Sequence, residues 1–112
     1  MNTRYRTNDL RPDGTTVTVA TGIATPGSLA LPVLGSVAGS VIPKRVGVRV
    51  QTSDPVFVNF SPTAGLVAVS GANCGVPLFS SDGIVPFNVE GDGFINYVSA
   101  TSGNLFVTPL AP

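Results

Sequence analysis

The chain has 112 residues, a single cysteine and no histidine, which excludes an intrachain disulfide, a Ser–His triad and the commonest zinc sites. Hydrophobic residues make up 43% and charged residues only 11%, against about a quarter in ordinary soluble domains, and the formal net charge is zero. A chain of this length supports one domain with one real core.

Residues 1–13 are polar, charged and aperiodic, and predict an N-terminal arm that closes on the turn sequence RPDG. No apolar stretch follows Arg4 and Arg6 before Asp9, Arg11 and Asp13, so a secretion signal is not expected. Such an arm is held in place most simply by a neighbouring subunit. That makes Arg4, Arg6 and Arg11 candidate contacts with another chain.

Residues 14–43 carry no charge at all. They are broken by Gly22, Pro26, Gly27, Pro32, Gly35 and Gly39, so they do not read as a membrane-spanning helix. TTVTVATGIA alternates, with Val17 and Val19 on one face, and predicts a strand. SLALPVLGSVAGSVIP reads as extended segments and loops, with Pro32 arguing for a sheet edge or no ladder.

From residue 44 the pattern is clearer. RVGVRVQ places Val46, Val48 and Val50 on one face, and Arg45, Gly47 and Arg49 on the other. TSDP is turn chemistry, after which VFVNF sets Val56, Val58 and Phe60 against Phe57 and Asn59. Short runs follow at LVAVS, VPLFS, IVPFNVE, FINYVS and NLFVT, each bounded by Gly, Pro, Asn, Asp or Ser. Strands of about five residues at spacings near ten predict a single all-β domain over 14–112. The expected fold is a small β-sandwich or jelly roll of about eight strands with an extended N-terminal arm; 14–43 is an uncharged extended segment and 44–112 supplies the core strands.

NVEGDGFINYV puts Glu90 and Asp92 two positions apart beside two glycines. An acid/base pair needs separated carboxylates with one in an apolar setting. Asp-Gly is the preferred pair for a tight hairpin, and it recurs at Asp13-Gly14 and Asp82-Gly83, so the motif reads as punctuation. In that hairpin Phe87, Val89, Phe94 and Val98 share the core face, while Tyr97 and Ile95 lie on the opposite face, making Tyr97 an exposed contact.

Calcium bound by Asp82, Glu90 and Asp92 would lack the ligand ladder of an EF-hand, and no metal or cofactor is expected. Cys74, among glycines in GANCGV, has no neighbouring base in sequence and reads as a small filler. With a sequence pI near 6.0 and no tryptophan, nucleic acid is not an expected partner, nor is a small molecule. A glycan-binding module is the rival on fold grounds, with Tyr97 its contact residue. An enzyme is not expected.

Residues 1–50 hold all six bases and two acids, whereas 51–112 hold four acids and no base. Low total charge with this asymmetry suggests a homo-oligomer or larger assembly whose subunits cover one another. The candidate interface residues are Arg4, Arg6, Arg11, Lys44, Arg45, Arg49, Phe57 and Tyr97.

VGVRVQTSDPVFVNFSP (46–62) and GVPLFSSDGIVPFNVEGDGFINYVSATSGNLFVTP (75–109) resemble a loose group of small virion-associated proteins of tailed bacteriophages. The resemblance covers Arg45 to Pro109. It implies a structural role in the particle, as a capsid decoration or cement protein at junctions between major capsid subunits. A tail-associated or host-binding β-module and a head–tail joining component are the alternatives it leaves. Its location would be the virion, after synthesis in the host cytoplasm. No catalytic residue is implied.

Overall fold

The computed structural model describes residues 10–65 and 75–112. They form nine strands and one short 3-10 turn: β1 (Arg11–Pro12), β2 (Val17–Thr21), β3 (Gly27–Ala30), β4 (Arg45–Gln51), β5 (Val56–Ser61), β6 (Val76–Leu78), the turn η1 (Ser80–Asp82), β7 (Val85–Asn88), β8 (Phe94–Ser99) and β9 (Gly103–Ala111). No helix among the described residues is long and apolar enough to cross a membrane.

Two antiparallel sheets stack as a β-sandwich. Sheet I runs β2-β9-β4-β7, with β1 on the same side of β9 as β2; sheet II runs β3-β8-β5-β6. Consecutive strands from β2 onward change sheet at every step except β5 to β6. The alternating valines explain the core directly, because successive side chains in a strand point to opposite faces. Val46, Val48 and Val50 of β4 and Leu105 and Val107 of β9 meet Val56 and Val58 of β5 and Ile95 of β8, all at most 1% exposed. Each such side chain, fully buried, contributes roughly 1.5–3 kcal/mol. Phe60 and Phe87 pack across the layers with ring centroids 5.2 Å apart.

Three departures from the sequence reading concern how strands connect. The RPDG stretch is not the turn that ends an arm. Arg11 and Pro12 pair with Ala111 and Leu110, and Val17 pairs with Val107, so residues 13–16 bulge opposite residues 108–109 of one long edge. Gly14 at the bulge has φ 127°, a backbone region that favours glycine, and Gly35 packs directly against it. The Asp13 carbonyl accepts the Gly35 N–H at 3.0 Å; its carboxylate accepts the Ser36 N–H at 2.9 Å and the Ser36 hydroxyl at 2.6 Å. Three bonds thus pin the 33–41 loop to the edge.

The second departure is β3, a strand within the stretch read as extended segments and loops. Its four residues pair with Phe94–Tyr97 of β8.

The third is the turn at 89–93, which joins two sheets rather than two strands of a hairpin. Asp92 donates its N–H to the Val89 carbonyl at 2.9 Å and Gly91 has φ 88°, so a tight turn forms, but it centres on Glu90-Gly91 and not on the Asp92-Gly93 pair expected from the sequence. Yet the Val89 N–H bonds the Lys44 carbonyl beside sheet I, and the Gly93 N–H bonds the Ser61 carbonyl in sheet II. β7 pairs with β4, and β8 pairs with β3 and β5. No ladder links Phe87 to β8, so the inferred face of β8 is inverted: Ile95 and Tyr97 join the core between the sheets, while Phe94, Asn96 and Val98 lie on the other side of sheet II, Asn96 and Val98 still buried.

Candidate interaction surfaces

The predicted interface residues separate onto different parts of the sandwich. Arg4 and Arg6 lie outside the described residues, as does Cys74. Arg11 is exposed on β1 at the edge of sheet I. Lys44 stands just before β4, its Nζ 4.0 Å from Glu90 Oε2, with both side chains well exposed. An exposed pair of this kind contributes at most about 1 kcal/mol.

Arg45 and Arg49 share the outer face of sheet I, because they alternate with the buried valines of β4. Arg49 pairs in register with Phe106 of β9 and lays its guanidinium over that ring, 4.2 Å from the centroid. Arg45 pairs with Leu110 and Asn88 on either side. Ile84, 62% exposed, drapes over Gly47: a Cβ there would come within 2.7 Å of its Cγ2. The face therefore mixes two guanidinium groups with Phe106, Leu110 and Ile84. Sequence reasoning named the arginines and missed their apolar neighbours, since only the β4–β9 register places them together.

Phe57 lies on the outer face of sheet II, opposite Val98 in register, and lines a cleft of about 290 Å³ with Pro26, Asp54 and Pro55. Beside it Asn96, wholly buried, donates from Nδ2 to Asn59 Oδ1 and to Ser61 Oγ, each at 2.9 Å. Asn96 Oδ1 is buried without a hydrogen-bond partner among the described residues.

Tyr97 is not an exposed contact. It is 6% exposed, and its ring covers Gly27 so closely that a Cβ on that glycine would fall 2.3 Å from the phenol. Burial raises its pKa above the ordinary value of about 10. A sugar platform at Tyr97 is ruled out by that packing.

The acidic residues sit on turns, and Glu90 and Asp92 share one cleft. Asp82 accepts the Phe79 N–H at 2.8 Å and so caps its own 3-10 turn. Glu90 faces Lys44. Asp92 lines a cleft of about 450 Å³ together with Glu90, Lys44, Ile42, Pro43 and Pro62. Among the described residues no three carboxylates, cysteines or histidines gather as metal ligands.

The charge asymmetry of the sequence is folded inward in part. β4, which carries Arg45 and Arg49, lies between β7 and β9 of the acidic half. The acids of that half stay on its turns, and the outer face of sheet I keeps the two arginines.

Comparison with protein-family models, with curated proteins and with solved structures gives no match.

Proposed function

We propose that this chain is a structural component of a tailed-phage particle, a capsid decoration or cement protein that spans junctions between major capsid subunits. The observation that carries the reading is the pairing of low charge with large apolar side chains left in the open. Ile23, Ile84, Val76 and Phe79 are 70%, 62%, 50% and 48% exposed on a chain only 11% charged. Apolar groups exposed on so weakly charged a surface favour contact with other protein. The strand rows β2-β9-β4-β7 and β3-β8-β5-β6 support it: we read them as a jelly roll, an architecture found in viral capsid domains. The resemblance over Arg45 to Pro109 points the same way.

On this reading the outer face of sheet I, with Arg45, Arg49, Phe106 and Ile84, is the face laid on the shell. Its arginines meet acidic capsid surface and fix register, while the apolar groups are covered. The role is structural, and Glu90 and Asp92 serve as turn residues.

The test is to mix the purified chain with heads of the phage that encodes it and sediment the mixture. The expected result is saturable co-sedimentation at a fixed copy number and heads that resist heating better. Recovery with purified tails instead would move the protein to the tail; a chain that ignores heads and tails alike would overturn the proposal.

A further inference from the structure

Among the described residues the sandwich has four free strand edges, and they are guarded unequally. β6 carries Pro77 and β7 carries Pro86, each within the strand. Proline has no N–H to offer a new neighbour, so both edges resist strand addition. β3 has only four residues, with Pro26 directly before it and Pro32 two residues after it. β2, Val17–Thr21, is different: VTVAT contains no proline, no glycine and no charge, and it pairs only with β9. Its outer row of backbone donors and acceptors has no partner strand among the described residues. Within Val17–Thr21 no proline, bulge or charged side chain stands against pairing.

We propose that β2 is a dimerisation edge, and that it pairs antiparallel with β2 of a second copy of this chain to run the two copies of sheet I into one continuous sheet. Three features select a second copy over a foreign strand. An antiparallel ladder has two-fold symmetry, so one edge can serve both partners without a complementary surface elsewhere. Full overlap of five residues centres the axis on Val19, which opposes Thr18 of one copy to Ala20 of the other, small neutral groups on the outer face.

The third feature is apolar. Ile23, 70% exposed, follows the tail of the strand; Val33, 41% exposed, lies at its head, where its carbonyl packs against Gly14. Antiparallel pairing sets the head of one strand beside the tail of the other. Ile23 of each copy then meets the Val33 loop of its partner, and two exposed apolar groups are covered at both ends of the ladder. The inference does not rest on the virion role, and holds for the free protein.

Thr18 and Ala20 are exposed, so charge can be placed there without entering the core. The experiment is analytical ultracentrifugation of the wild type, T18K/A20K and T18K/A20E, with circular dichroism to verify the fold of each. The wild type is expected to be a dimer. T18K/A20K sets lysine against lysine twice across the axis and should raise the dissociation constant roughly a hundredfold or more. T18K/A20E sets lysine against glutamate twice and should keep the dimer. A monomeric wild type would overturn the proposal. So would a T18K/A20K dimer as tight as the wild type, or equal loss in both variants.

Discussion

The two flanks of the sandwich close the same pair of sheets in opposite ways. On one, β6 and β7 carry Pro77 and Pro86, and η1 between them is capped by the Asp82 carboxylate. On the other, β2 and β3 come from the uncharged segment 14–43 and are joined through exposed Gly22–Pro26. On the guarded flank proline closes both strand edges to further pairing, although Val76, Phe79 and Ile84 stay exposed there. On the bare flank the outer edge of β2 has no partner strand among the described residues, and the difference locates strand pairing more sharply than overall composition does.

Both flanks lean on one core, so a cavity at its centre should loosen them together. Leu105, fully buried on β9 and opposite Val19 of β2 and Val50 of β4, is the place to make it. Leu105→Ala is expected to cost about 3 kcal/mol in urea unfolding. Amide exchange should accelerate on β2 and β7 alike; protection lost on one flank alone would show two independent halves.

Gly27→Ala separates the flanks. The added methyl would collide with the Tyr97 ring at the β3 edge, and a cost of about 2 kcal/mol is expected. Gly83→Ala, beside η1, meets nothing within 4 Å and carries only the strain of φ 68°, about 1 kcal/mol. Equal costs would mean that Tyr97 does not pack as described.

The same ring gives the bare flank a pH signature. Because burial raises the folded pKa of Tyr97 above its unfolded value near 10, the native state holds that proton more tightly. This stabilisation is complete below about pH 10 and is lost as pH rises through the folded pKa. Tyr97→Phe should flatten the alkaline limb of a stability profile, whereas Tyr5→Phe serves as the comparison.

Asp13→Ala removes the two side-chain bonds that hold Ser36 and should cost about 1 kcal/mol. Its more telling effect is faster exchange at Gly35 and easier proteolysis of the 33–41 loop. The smallest effect belongs to the guarded end: Glu90→Gln breaks only an exposed 4.0 Å pair with Lys44 and should stay within about 0.5 kcal/mol. A larger loss would reopen a role for that carboxylate.

The strands most legible in the sequence are those whose alternation is strict. RVGVRVQ and VFVNF appear as β4 and β5 with the inward faces assigned from their valines. LVAVS, read as a strand, lies outside the described residues. β3 was hidden because GSLA is too short and too near two prolines to show a period. The face of β8 was assigned wrongly for another reason: a tight turn at Asp92-Gly93 was taken to imply a ladder between its arms. A tight turn does form, at Glu90-Gly91, but side-chain direction passes from strand to strand only through paired backbone, and β7 and β8 are not paired.

Of the candidate interface, Arg45 and Arg49 were legible as a pair because strand alternation alone sets them on one face. That Phe106, Leu110 and Ile84 surround them depends on the β4–β9 and β4–β7 registers, which no local pattern encodes.

The sequence by itself determined that this protein is built of short strands around a valine-rich core, and that its surface has little charge. Both follow from residue type and period two, which act over a few neighbours. The tertiary structure alone decided which strands pair, whether Tyr97 faces out or in, and which edge stays open. Those outcomes depend on backbone hydrogen bonds between residues as distant as Val17 and Val107, and only the closed sandwich brings such residues together.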